Sequence, residues 1–251
     1  MVGVRGWRKA MVVGTFLAPS LLCLLAFTLG PMVGTLWTSV LEWNLIRPAR
    51  FVGFDNYREL WHDEKFHTAL RNTAYYVVGY LPLVTVGGLG LAVLVNHKLR
   101  GVTLFRALYF LPVVTSWVVV ALLWKWLLNP NSGLVNWLLG LIGIDGPGWW
   151  TDKRWAMPSV ILASAWKDLG FVMVILLAGL QAIPASLYEA ATIDGAGGWH
   201  KLRRITLPLL TPSLFFVAVI SLINGAQVFD QVRVMTNGGP GNASTVVVDQ
   251  I

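Results

Sequence analysis

Long apolar runs separated by short polar islands dominate this chain, and their lengths predict membrane-spanning helices rather than strands. The runs cover about residues 10–40, 72–95, 103–128, 157–183 and 209–229, and a sixth starts at about 245 and is cut short at Ile251. Each complete run is long enough to cross a hydrocarbon layer of about 30 Å at ~1.5 Å rise per residue. The expectation is an all-α polytopic membrane protein, 1–251 forming a single transmembrane domain. The N-terminal run, preceded by Arg5, Arg8 and Lys9, has the charge pattern of a signal peptide. No Ala-x-Ala site follows it and further runs do, so it reads as a retained first span whose Gly30-Pro31 end projects beyond the bilayer. In the third run Leu111-Pro112 should kink the helix, because proline lacks the donor its turn requires. Residues 134–144 are apolar but too short to cross, which suits a helix lying at the outer interface.

The polar islands differ in character. Residues 42–71 form a long segment of mixed charge, and 96–101 form a short basic turn with Lys98 and Arg100. The segment 184–208 is the most structured. Ser186 lies three residues before Glu189, the spacing of a capping box, so a helix is expected from Leu187 to about Asp194. Gly195 then supplies the left-handed residue on which a helix can stop without a Cβ clash. A second short helix bearing Lys201, Arg203 and Arg204 follows, and Pro208 falls in the first turn of the next run, where its missing N–H costs nothing. Helices this short are marginal alone, so the first one needs outside contacts to persist.

Composition agrees with the pattern. The chain is 56% hydrophobic and 12% charged, against roughly 25% charged in soluble domains. Its net charge of +7 sits in clusters at the ends of apolar runs, which fits lipid headgroups and membrane topology better than nucleic acid. The basic residues are densest in the short segments around Arg8, Arg100 and Arg203, which places those segments and the N-terminus on the cytoplasmic side. Cys23 is the only cysteine, so no disulfide forms within the chain.

Few residues offer chemistry. No phosphate-binding loop, nucleophile elbow or zinc-protease signature is present, so the chain has no visible means of hydrolysing ATP and does not read as an enzyme. His62, Asp63, Glu64 and His67 suit a solvated charged turn better than a metal site. Lys167 and Asp168 fall near the middle of the fourth run, where ionisable groups are costly unless they face protein or water. Being adjacent on a helix, they point about 100° apart. Either an interior salt bridge or a place on a solute path fits them. Asn224 and Gln227, three apart on the fifth run, share a face and suit either solute hydroxyls or bonds between helices. Lys125 is expected to snorkel to the outer interface.

Glu189-Ala190-Ala191, three residues, Gly195, nine residues, then Ile205-x-Leu207-Pro208 resembles the cytoplasmic loop of permease subunits of bacterial ABC importers, narrowly the binding-protein-dependent carbohydrate-uptake type. Phe51-Val52-Gly53-Phe54-Asp55-Asn56-Tyr57 and Gly238-Gly239-Pro240-Gly241 resemble the outer loops of the same group. Leu202 departs from it, standing where phenylalanine is common. The resemblance implies an importer permease fold of six helices in the bacterial cytoplasmic membrane. It implies a coupling loop, 184–208, in which Leu187, Tyr188, Glu189, Ala190, Ala191, Asp194, Gly195, Ala196, Ile205 and Pro208 meet a separate ATPase. Implied partners are a second permease subunit, two copies of the ATPase holding ATP and magnesium, an extracytoplasmic solute-binding protein, and lipid. No cofactor belongs to this chain itself. The implied cargo is a sugar, a polyol or a glycerol-phosphate-like solute. An ion-coupled secondary transporter or channel is the alternative, and it would show inverted repeats, of which none is evident.

Overall fold

The computed structural model describes residues 6–44, 46–96 and 101–250. Arg5 and the basic turn with Lys98 and Arg100 lie outside the described residues. The chain forms two compact units, Met1–Asp63 and Glu64–Ile251. Among the described residues, Ala10–Thr38, Glu64–Asn96, Ala156–Gln181 and Gly198–Ala226 are long and apolar enough to cross a membrane. A fifth crossing is added if two helices bent 104° apart, Val102–Val114 and Trp117–Leu127, make one broken span.

In the first unit, α1 (Trp7–Leu24) and α2 (Gly30–Thr38) run on through a wide turn at Leu25–Leu29. Pro31 therefore does not end the helix, because the widened turn absorbs its missing donor. The polar segment that follows is folded, not merely long. β1 (Leu41–Glu42) pairs antiparallel with β2 (Arg50–Phe51), and α3 spans Asp55–His62. The Asn56 side-chain amide donates to the carbonyls of Ser39 (2.9 Å) and Leu41 (3.0 Å), tying α3 to the hairpin.

In the second unit, α4 (Glu64–Asn96) starts eight residues before the second apolar run and is 33 residues long, about 50 Å of helix. Its buried positions, Ala69, Thr73, Tyr76, Tyr80, Val84, Gly88, Ala92 and Val95, follow the three-and-four spacing of a single helical face. That face packs on α8 (Ala156–Gln181), the most deeply buried helix. Small residues set the approach: a Cβ on Gly79 would meet Ile161 at 2.8 Å, and one on Gly87 would meet Leu169 at 2.6 Å.

α5 (Val102–Val114) packs on α8 at Gly170, where an added Cβ would run into the Tyr109 carbonyl. The third run does not kink at Pro112, which lies buried inside α5. It breaks at Thr115 and Ser116, both extended, before α6 (Trp117–Leu127). Thr115 ends α5 locally, its N–H bonding Pro112 O (3.1 Å) and its hydroxyl Leu111 O (3.2 Å). α7 (Leu134–Leu141) is the short apolar helix expected there.

α9 (Ala185–Ile193) and α10 (Gly198–Lys201) follow α8, and a wide turn, Leu202–Thr206, leads directly into α11 (Leu207–Ala226). α12 (Asp230–Met235) comes next. The Gly238–Thr245 loop is anchored on α4, the Asn72 amide donating to the carbonyls of Asn242 (2.9 Å) and Thr245 (3.0 Å). Where a sixth span is expected, the described residues form a short turn, Val247–Gln250.

Candidate functional site

Three apolar helices converge on one polar cavity. Tyr76 and Tyr80 lie one turn apart on the buried face of α4, their rings stacked at 5.4 Å with 13° between planes. α8 presents Asp168, and the Tyr80 hydroxyl donates to its Oδ2 at 2.6 Å. α11 carries Gly225 near its end, against Val77 and the tyrosine pair, where an added Cβ would lie 3.1 Å from Val77. Its last turn brings Asn224, and the residue after it, Gln227, to the same space. Asp230 and Gln231 enter from α12, Gln231 donating to the Tyr76 hydroxyl at 3.3 Å. Trp117, first residue of α6, and Phe229 close the wall of a cavity of about 300 Å³.

Asp168, Asn224 and Gln227 therefore meet as a set, but Lys167 does not join them. Its ammonium donates to the Val113 carbonyl at 3.0 Å and lies 4.6 Å from the centre of the Trp117 ring. Lys167 is absent from the cavity lining and braces the break between α5 and α6, where Val113 has lost its helical donor. Lys125 likewise turns inward, to Val234 O (3.3 Å) and the Trp150 ring (5.0 Å), instead of snorkelling. Sequence alone missed Tyr76, Tyr80, Trp117, Asp230 and Gln231. The tyrosines carried a usable signal, polar-tipped rings four apart in an apolar run; Trp117 carried none, since its place depends on the break.

The second region is the elbow formed by α9, α10 and the wide turn. Leu187, Tyr188, Glu189, Ala190 and Ala191 lie on α9, and Asp194 is its last cap. Gly195 has φ +74°, with Gly195 N–H bonding Thr192 O (3.0 Å) and Ala196 N–H bonding Ala191 O (2.8 Å), the doubled closure that a left-handed residue permits. Ser186 is not the helix cap. Pro184 takes that position and α9 begins at Ala185, so no capping box forms with Glu189. The fixed φ of Pro184 starts the helix two residues early, and its carbonyl receives the Leu187 N–H at 3.2 Å. Nor is the second helix separate from the fifth run: Leu207 N–H bonds Leu202 O, bypassing Pro208. Ile205 lies in this wide turn and Pro208 in the first turn of α11.

Hydrogen bonds tie the elbow to the base of α11. The hydroxyls of Tyr188 and buried Thr206 are 2.9 Å apart, Lys201 donates to Thr192 Oγ1 (2.8 Å), and Thr192 donates to Tyr188 O (2.6 Å). Ile193 and Trp199, 87% and 72% exposed, stand outward from it.

Residues 84–248 match the family described as binding-protein-dependent transport system inner membrane component, and the chain belongs to that family. It is 34% identical to the trehalose/maltose transport system permease protein MalF of Thermococcus litoralis over 96% of this chain and 82% of that one. It is 37% identical to the lactose transport system permease protein LacF of Rhizobium radiobacter, over 96% of this chain and 80% of that one. A bacterial ABC transporter that imports the acidic polysaccharide alginate superposes with a TM-score of 0.80 at 28% identity, covering 97% of this chain and 83% of that one. A bacterial alginate ABC transporter in complex with alginate pentasaccharide-bound periplasmic protein gives a TM-score of 0.79 at 28% identity, covering 95% of this chain and 80% of that one. The chain is thus a permease subunit of the ABC importer class.

Proposed function

We propose that this chain forms half of the transmembrane path of an ATP-driven importer for a saccharide or related polyol, delivered by an external binding protein. The observation that carries the proposal is the convergence of Asp168, Asn224 and Gln227 on one cavity between apolar helices. Carboxylate and amide groups at that depth suit solute hydroxyls and are costly without a partner. The names of the trehalose/maltose and lactose relatives point the same way. A second permease subunit supplies the facing half, and the elbow at 184–208 docks into a groove of an ATPase that is a separate chain. Closure of two such ATPases then drags α9, and through the Tyr188–Thr206 contact α11, so that the path opens alternately to each side. Positive charge near Arg203 and Arg204 favours a cytoplasmic elbow, with the N-terminus on the same side.

Replacing Asn224 and Gln227 together by alanine in the assembled transporter, reconstituted with its binding protein, tests the path. Uptake should need roughly tenfold more delivered solute, the equivalent of losing one or two good hydrogen bonds. Unchanged uptake kinetics would remove the cavity from the path.

A further inference from the structure

The polar groups of this cavity are neutral amides, hydroxyls and an indole, together with two carboxylates. Asp168 and Asp230 both face it, and no lysine, arginine or histidine is among the residues that line it. Lys167, about 100° around α8 from its neighbour Asp168, is held by the Val113 carbonyl and the Trp117 ring and is not among the lining residues. The Asp168 carboxylate is itself fixed in place: Tyr80, 1% exposed, spends its hydroxyl proton on Oδ2, and Gln231 is committed to Tyr76. An anionic solute entering here would meet two carboxylates, Asp168 poorly screened between apolar helices and Asp230 at the start of α12, with no opposite charge in the lining. A solute rich in hydroxyl or ammonium donors meets complementary groups instead.

We propose that Asp168 and Asp230 act as a charge filter on the solute path, passing uncharged or cationic saccharides and excluding uronates, sulfonates and sugar phosphates. The proposal rests on the cavity being the solute path, and it separates this chain's cargo from the acidic polysaccharide of the structurally similar alginate importer.

Equilibrium dialysis on the assembled importer, full-length chain with its partner permease and ATPases, provides the test. The probes are matched open-chain disaccharides that differ only in a terminal CH2OH or carboxylate: maltitol and maltobionate, lactitol and lactobionate, cellobiitol and cellobionate. For whichever pair binds, the neutral member should bind at least about tenfold more tightly. Asp168→Asn with Asp230→Asn should cut that preference to about threefold or less. Asp230→Asn alone, at the exposed start of α12, should move the ratio the same way with little demand on the fold. Equal binding of both members to the unaltered importer, or a ratio that ignores both substitutions, overturns the filter and leaves the path standing. Binding of no member of any pair overturns the path, and the filter with it.

Discussion

At the scale of single residues, Lys167 shows how an intramembrane charge serves structure. Its ammonium occupies a carbonyl, Val113 O, that the α5–α6 break leaves without a helical partner. Lys167→Met should leave that carbonyl unsatisfied, at a cost of about 1–3 kcal/mol, read as a lower unfolding temperature of the purified transporter in detergent. An unchanged temperature would mean the brace is idle. Gly170 makes a second case. Any side chain there collides with the Tyr109 carbonyl of α5, so Gly170→Val should destabilise by about 1–3 kcal/mol through overpacking. Gly90, on α4 with nothing within 4 Å of an added Cβ, is the matched control and should accept alanine. Both glycines read alike in the sequence; only the neighbouring helix tells them apart.

At the scale of elements, side-chain hydrogen bonds fix the elbow from α9 to α11 at its base. Tyr188→Phe removes one hydroxyl from the contact with buried Thr206, a loss of about 0.5–1.5 kcal/mol. Assembly should survive this, while ATP hydrolysed per solute imported should rise; an unaltered ratio would show that the contact transmits nothing. The prolines teach a related lesson. Pro31, Pro112 and Pro208 each carry a local signal for a kink or a start, yet helices run through all three. Two of them follow a wide turn that reroutes the backbone bonds, at Leu25–Leu29 and Leu202–Thr206. The sharp 104° bend falls instead at Thr115 and Ser116, where neighbouring helices accept the loose ends.

At the scale of the whole molecule, the outward-facing apolar side chains of the elbow become a matter of assembly. Ile193 and Trp199 expose large apolar surfaces beside polar ends, as anchors of a docking surface do. Ile193→Asp should abolish co-purification of the ATPase from membranes while this chain still inserts and pairs with its partner permease. Retention of the ATPase would place docking elsewhere. The helix Ala10–Thr38 is apolar along its length and unburied within its own unit, so lipid or another subunit must cover it.

The sequence by itself determined that the chain is a bundle of apolar helices, where most of them lie, and that α9 ends at Gly195, because hydrophobic run length and the left-handed freedom of glycine are local properties. It also nominated Asp168, Asn224 and Gln227, because polar groups within apolar runs are conspicuous. Only the tertiary structure decided that these three share a cavity and that Lys167 turns away from it. It also recruited Trp117, Asp230 and Gln231, and moved the bend of the third run from Pro112 to Thr115. Each of those outcomes depends on which donor or acceptor a neighbouring helix offers across the bundle, and spacing along one chain carries no record of that.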